Sequence, residues 1–288
     1  MKPVLAETTM KVAVGQMSVS NDKDINLSTI EALVSQAFEA GAKLICFPEC
    51  CMYASLDETE SFASIAEPLS GPFVAALKRF ANLYSICIVA GIFESSVDAA
   101  RVYNTVVVID ENGQIKDPYR KIHLYDAFGT KESERVIAGD GSTLIFQSGS
   151  LTFGVMTCYD LRFPELARFL AFQGAQVILL PAAWRPGPMK EAHLEILTRA
   201  RAIENNLYMV VAAQVGVNCC GNSMVVDPMG VIQTSVANNE CILISELRQD
   251  RIDEVREVSP TLQNRRTDLY ERWKETHQRW YEDVSSEA

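Results

Sequence analysis

Leu151-Thr152-Phe153-Gly154-Val155-Met156-Thr157-Cys158-Tyr159-Asp160-Leu161-Arg162-Phe163-Pro164-Glu165-Leu166 passes from an apolar, β-prone run into a stretch that reads as a helix. Pro164 suits the first helical turn, where its missing N–H has no partner to lose. A buried strand that turns directly into a helix is an α/β signature, and it leaves Cys158 at the elbow. There the sulfur leaves the core near the positive end of the helix dipole, which favours thiolate. A cysteine ending a strand is ordinarily inert and buried. The polar neighbours Tyr159 and Asp160 set this one apart.

The residues upstream alternate in the manner of strand–helix crossovers. Met10 to Met17 is β-prone, Ile25 to Glu39 carries apolar residues at helical spacing, and Ala42 to Phe47 reads as a short buried strand after the helix-stopping Gly41. Pro72 opens a helix over 73–84, followed by a strand over 86–93. Such alternation favours parallel pairing under helices. The middle of the chain instead predicts hairpins: Val102 to Ile109 turning at Asp110-Glu111-Asn112-Gly113 and continuing through Lys116, Ser142 to Gln147 against Leu151 to Thr157, and Ser223 to Val226 against Val231 to Ser235. Helices over 163–172 and 189–205 and strands over 176–180 and 207–213 lie between them. Hairpins mixed with crossovers imply two mixed sheets.

Two further segments present a reactive side chain at the end of an apolar run or turn. Leu44-Ile45-Cys46-Phe47-Pro48 delivers Glu49, and Tyr119-Arg120 delivers Lys121, followed by Ile122 and His123. A carboxylate directly after a buried strand must reach solvent, be paired or be functional. Lys121 is either an exposed lysine of a basic turn or a cation held beside the other two groups. A base, a cation and a thiol together are the components of acyl transfer.

These three segments, their spacing and the Cys-Tyr-Asp-x-Arg-Phe pattern from Cys158 to Phe163 closely resemble the nitrilase, or carbon–nitrogen hydrolase, superfamily, from about Lys11 to about Ser245. The resemblance implies a four-layer α-β-β-α sandwich of two stacked, mixed, six-stranded sheets. The chain reads as one domain over 1–288, with a core at about 10–246 and a charged, helix-prone tail at about 247–288. The resemblance also implies a homodimer or higher homo-oligomer, in which such tails commonly wrap the partner subunit, and an enzyme that needs no cofactor. A cytoplasmic location is the default expectation, since the chain reads with neither a signal peptide nor a membrane span.

The resemblance further implies roles. Glu49 takes the thiol proton, returns a proton to departing ammonia and then activates water, with partial burial raising its pKa. Lys121 lowers the thiol pKa and stabilises the tetrahedral oxyanion together with the backbone N–H of Tyr159, so Lys121→Ala abolishes turnover while leaving the fold intact. A second glutamate orients the lysine, and Glu132 is the best match, with Glu134 competing. Tyr159-Asp160 after the cysteine, where true nitrilases usually carry Trp-Glu, points to the amidase branches. Pro181-Ala182-Ala183-Trp184, His193 and the run Arg199 to Asn205 resemble the branch containing ω-amidase and deaminated glutathione amidase, which act on ω-monoamides of short dicarboxylates.

A small acidic amide calls for a cation, and Arg162, Arg185 and Lys190 lie in segments expected at the cleft rim. Arg162 matches a carboxylate-binding arginine of N-carbamoyl amino acid hydrolases, or it pairs structurally with Asp160 or Glu165. Trp184 and Tyr53 either line the pocket or pack in the core, and Ala183 belongs to the same wall. Two rival readings are a Cys-His hydrolase using His123 or His193, and an idle scaffold of the same fold.

Composition narrows the partners. The chain of 288 residues has 48% apolar content, enough for a large core, and a formal charge of −11 without a basic cluster, which argues against nucleic acid or an anionic membrane. No apolar run approaches the ~20 residues that span a bilayer, and Met1 to Met10 lacks the basic start and apolar core of a signal peptide. Of the eight cysteines, Cys46, Cys87 and Cys241 lie inside apolar strand-like runs and read as small buried hydrophobes rather than disulfide partners, and no CxxC spacing occurs, so a metal is not expected. The glycine-rich phosphate loop is likewise missing.

Overall fold

A computed structural model describes residues 9–55, 60–216, 218–273 and 276; most of the Met1 to Met10 stretch and the end of the tail lie outside the described residues. The first half runs β1 (Thr9–Gln16), α1 (Lys23–Glu39), β2 (Leu44–Cys46), a short α2 (Phe62–Ile65), α3 (Pro72–Tyr84), β3 (Cys87–Ser95), β4 (Val102–Ile109) and β5 (Tyr119–Arg120). A small ribbon of β6 (Asp126–Ala127) and β7 (Thr130–Lys131) follows. The second half comprises β8 (Ile145–Ser148), β9 (Leu151–Val155), α4 (Pro164–Phe172), β10 (Val177–Ala182), α5 (Lys190–Asn205) and β11 (Tyr208–Ala213). After a ribbon of β12 (Val215–Gly216) and β13 (Cys219–Cys220) come β14 (Met224–Val226), β15 (Ile232–Ser235), β16 (Cys241–Arg248) and α6 (Gln249–Val258).

The local chemistry explains these elements. Asp22 caps α1 by accepting from the N–H groups of Asp24 and Ile25, and Gly41 ends that turn at φ 79°. Pro72 and Pro164 occupy first-turn positions of α3 and α4.

Two six-stranded mixed sheets result, in the orders β16-β1-β2-β3-β4-β5 and β15-β14-β11-β10-β9-β8. Each has two parallel ladders at its centre, β1/β2/β3 and β9/β10/β11, with antiparallel strands at both flanks. Alternation divides each strand of the first sheet. Val12, Val14, Leu44, Cys46 and Val89 face the second sheet, whereas Ala13, Ile45, Ile88 and Ala90 pack under Ile30, Val34, Leu77 and Phe80 of α1 and α3. Helices α4 and α5 cover the far side of the second sheet through Leu166, Leu170, Leu194 and Ala202. This is the expected α-β-β-α sandwich.

The first hairpin is found where expected: beyond the Asp110 turn Ile115 bridges back to Ile109, and Lys116 N donates to Val108 O at 2.8 Å. Beyond Lys116, Pro118 has no N–H to give a ladder, and β4 pairs next with Tyr119 and Arg120. One expectation needs correction: the core extends past residue 246. Strand β16 pairs with β1 as far as Arg248, and Leu247 and Ile252 are fully buried in the core between and around the sheets. The charged surface of α6 hides that apolar edge in the sequence.

Candidate active site

The carboxyl ends of central strands from both sheets converge on one cavity of about 600 Å³. From the first sheet, β2 leads through Phe47 and Pro48 to Glu49, and β5 leads directly to Lys121. From the second, β9 leads to Cys158 and β10 to Ala183 and Trp184. Glu49, Lys121, Glu132, Cys158, Tyr159, Ala183, Trp184 and Tyr53 all line the cavity, so most residues singled out in the sequence meet there.

The charges form one buried network. The Lys121 ammonium, 2% exposed, donates to Glu49 Oε1 at 2.8 Å and to Glu132 Oε2 at 2.9 Å and Oε1 at 3.2 Å. Asn104 donates through Nδ2 to Glu49 Oε1 at 2.8 Å and to Glu132 Oε1 at 3.1 Å. The other oxygen of Glu49 accepts from the Ala183 N–H at 2.8 Å, across the junction of the sheets. Glu134 lies outside this network, 68% exposed beside Lys131. Of the two competing glutamates, Glu132 is the one at the lysine.

Backbone packing fixes these positions. Gly91 on β3 lies so close to the Glu49 segment that an added Cβ would meet Cys50 N at 2.5 Å and Glu49 Cα at 2.8 Å. Lys121 N donates to Asn104 O at 2.9 Å, and Gly139 N donates to Lys121 O at 2.8 Å. The two-residue strand β5 is thus reinforced on both sides of the lysine.

Cys158 stands at φ 46°, left-handed for a residue with a Cβ, as expected of a strained strand-to-turn elbow. The turn that follows is a five-residue 3-10 segment, Cys158–Arg162, and α4 begins only at Pro164. The cysteine is therefore not at the N-terminus of the long helix. Asp160, fully buried, locks the elbow by accepting from Thr157 N at 2.9 Å, Tyr119 Oη at 2.6 Å, His123 N at 3.0 Å and His123 Nδ1 at 2.8 Å. Burial and that carboxylate push the Tyr119 phenol above its ordinary range, so it remains a donor.

The electrostatics overturn two expectations. Burial, then the Glu49 charge, push the Cys158 thiol well above its ordinary value, and Lys121 offsets only part of this. These surroundings favour the resting thiol over the thiolate. Burial would also raise Glu49, but the charge and hydrogen bond of Lys121, with smaller help from the Cys158 thiol and Ala183 N–H, hold it below the usual carboxylate range. Burial opposes the Lys121 charge as well, yet Glu132 and Glu49 hold its pKa well above the ordinary lysine value. A base already deprotonated beside a protonated nucleophile is arranged for proton transfer during attack. Removing Lys121 would leave two carboxylates buried without their cation, costing about 3–5 kcal/mol, which weighs against the expectation that Lys121→Ala spares the fold.

Arg162 does not line the cavity, nor does it pair with Asp160 or Glu165. Its guanidinium lies 5.0 Å from the Trp184 ring centroid and 5.9 Å from that of Tyr159, with Nη2 3.5 Å from His193 Nδ1. Arg185 reaches the cavity wall and Lys190 does not. Neither His123 nor His193 is among the lining residues. The His123 ring stacks on Phe163 at 3.8 Å and is held by Asp160. The geometry thus gives no support to a Cys-His pair.

Three contributors escaped the sequence reading: Asn104, Asp160 as a clamp, and Tyr125, which lines the cavity. A signal existed for the first, because Asn104-Thr105 interrupts an otherwise apolar strand and both residues are buried. Among the described residues no group of three His, Cys, Asp or Glu side chains is placed to hold a metal, and no helix is long and apolar enough to cross a membrane.

Comparison with known proteins gives an independent view of this arrangement. Residues 11–257 match the family model described as carbon-nitrogen hydrolase. The deaminated glutathione amidase of Escherichia coli O157:H7 is 36% identical over 257 residues, covering 89% of this chain and 97% of that protein. The omega-amidase NIT2 of Mus musculus is 34% identical over 275 residues, covering 91% and 97%. In structure, Saccharomyces cerevisiae Nit3, a member of branch 10 of the nitrilase superfamily, superposes with a TM-score of 0.80 at 31% identity, covering 91% of this chain and 98% of that one.

Proposed function

The chain belongs to the carbon–nitrogen hydrolase family and hydrolyses non-peptide carbon–nitrogen bonds of amides, and we propose that Cys158, Glu49 and Lys121 carry out that reaction through a thioester. The observation that carries this reading is the Lys121–Glu49 contact of 2.8 Å on the wall of the cavity that Cys158 enters from the other sheet.

In the first half-reaction the Cys158 sulfur attacks the amide carbon while its proton passes to Glu49. The carbonyl oxygen becomes an oxyanion, stabilised by the Lys121 ammonium and the Tyr159 N–H. The Lys121 bond to Glu132 Oε1 is its longest at 3.2 Å, and that N–H is the one free to turn toward the new charge. Glu49 then gives its proton to the amide nitrogen, the C–N bond breaks and ammonia departs. Water attacks the thioester as Glu49 takes a proton from it, the C–S bond breaks, and the acid leaves with the thiol restored. Glu132 and Asn104 hold the lysine and base in register.

The substrate is a small amide bearing a carboxylate, a reading supported by the two amidase relatives and by Arg185 on the cavity wall. The one domain works in the cytoplasm, in keeping with eight unpaired cysteines. It pairs with a second copy through α4 and α5, whose Phe169, Phe172, Ile196 and Ile203 are exposed.

Ammonia release against ω-monoamides of short dicarboxylates, N-carbamoyl acids, aliphatic amides and nitriles tests the mechanism, with Cys158→Ala alongside. Release from an amide that falls by a factor on the order of 10⁶ in the variant is the expected result. Undiminished release by Cys158→Ala would rule the thioester out.

A further inference from the structure

The reaction centre carries two carboxylates, Glu49 and Glu132, against one ammonium, and such a site repels an anionic substrate unless cations stand further along the cavity. Lys190 stands behind the wall of that cavity, and its surroundings are unusual. It is 5% exposed, yet among the described residues no carboxylate pairs with it. Its ammonium donates to the Tyr125 hydroxyl oxygen at 2.8 Å and lies 5.0 Å and 5.1 Å from the ring centroids of Tyr125 and Phe128. The backbone is fixed as well, because the carbonyl of Lys190 accepts from Trp184 Nε1 at 2.8 Å.

An ammonium has only donors to offer, so in this contact the phenol oxygen must accept. The Tyr125 O–H hydrogen therefore remains available to a second partner. Tyr125 lines the cavity, and its own N–H donates to Glu132 Oε2 at 2.6 Å, which ties it to the reaction centre. The same aromatic group holds Arg162, which lies 5.8 Å from the Phe128 centroid and likewise pairs with no carboxylate among the described residues. Two buried or half-buried cations without counter-ions, facing one cavity through aromatic rings, lack only an anion.

We propose that Tyr125, polarised by Lys190, is the donor that reads the carboxylate of the substrate. The phenol hydrogen-bonds the anion directly, and Lys190 and Arg162 supply charge through the rings without entering the cavity. This deepens the amidase reading above and rests on it.

Binding can be separated from turnover in the Cys158→Ala protein, titrated calorimetrically with succinamate and with its methyl ester. Lys190→Met and Tyr125→Phe in that background should each weaken succinamate binding by about 10- to 100-fold, the range for a hydrogen bond to a charged group, and the ester by much less. Lys190→Arg should retain most of the succinamate affinity, since it keeps the charge. Equal losses for acid and ester, or no loss for the acid, would overturn the proposal. So would a Cys158→Ala protein that ignores succinamate while the wild type releases ammonia from neutral amides. That outcome leaves the amidase mechanism standing, whereas carboxylate binding that depends on Tyr125 without any amide turnover would sink the mechanism alone.

Discussion

The two sheets share one plan, parallel ladders at the centre and antiparallel strands outside, but they equip the site differently. The first contributes charges, Glu49 and Lys121, held by ion pairs and by Asn104. The second contributes backbone geometry: the left-handed elbow at Cys158 and the Ala183 N–H. Each also sends a carboxylate to the other. Glu49 accepts from Ala183, and Asp160 accepts from Tyr119 and His123, the residues that bracket Lys121. Neither half holds its own reactive group in place alone, so the site comes into being when the sheets dock.

Substituting Lys121 attacks the first half and should have the largest effect. Lys121→Met strands two buried carboxylates, and a destabilisation of about 3–5 kcal/mol by urea unfolding is expected, with ammonia release lost. Full stability in that variant would mean the carboxylates repel less than their burial suggests.

Asp160→Asn probes the link from the second half. The amide keeps the shape but loses the charge and half the acceptors that serve Tyr119, Thr157 and His123. A loss of about 2–3 kcal/mol is expected. Turnover should fall with it while KM changes little, because the elbow and the lysine segment are no longer locked together. A fall in stability with normal kcat would show that the two sheets hold their register without this clamp.

The smallest effect concerns pH. Glu49 has its folded pKa held below the ordinary carboxylate value, so its charge contributes stability that is present above the unfolded pKa of about 4.3 and is lost as pH falls through the folded value. Glu49→Gln removes that contribution, so the stability gap between wild type and variant should narrow on acidification below about pH 4.3. A constant gap between neutral and acid pH would show that Glu49 is not ionised in the resting site.

Much of this was legible locally. Gly41, Pro72, Pro164 and the alternating apolar residues specify turns, first turns and strand faces by short-range rules. Delivery of Glu49, Lys121 and Cys158 from strand ends was readable for the same reason, and the family resemblance joined them. Pro118 marks why the first hairpin ends at Lys116, since a missing N–H cannot complete a ladder. Choosing Glu132 over Glu134 was beyond local rules, because two residues of one short turn differ only in which side faces the lysine.

The sequence by itself determined the strands, helices and hairpins, because these depend on periodicity and turn residues, and its resemblance to a family implied the layer plan, the candidate trio and the amidase chemistry. Tertiary structure alone decided their charge states and their bracing. The Ala183 N–H reaches Glu49 across 134 residues and Tyr119 reaches Asp160 across 41, and no local pattern encodes such meetings. Burial raises the thiol, and Lys121 overrides burial at Glu49; both follow from distances and desolvation, which exist only after the sheets have packed.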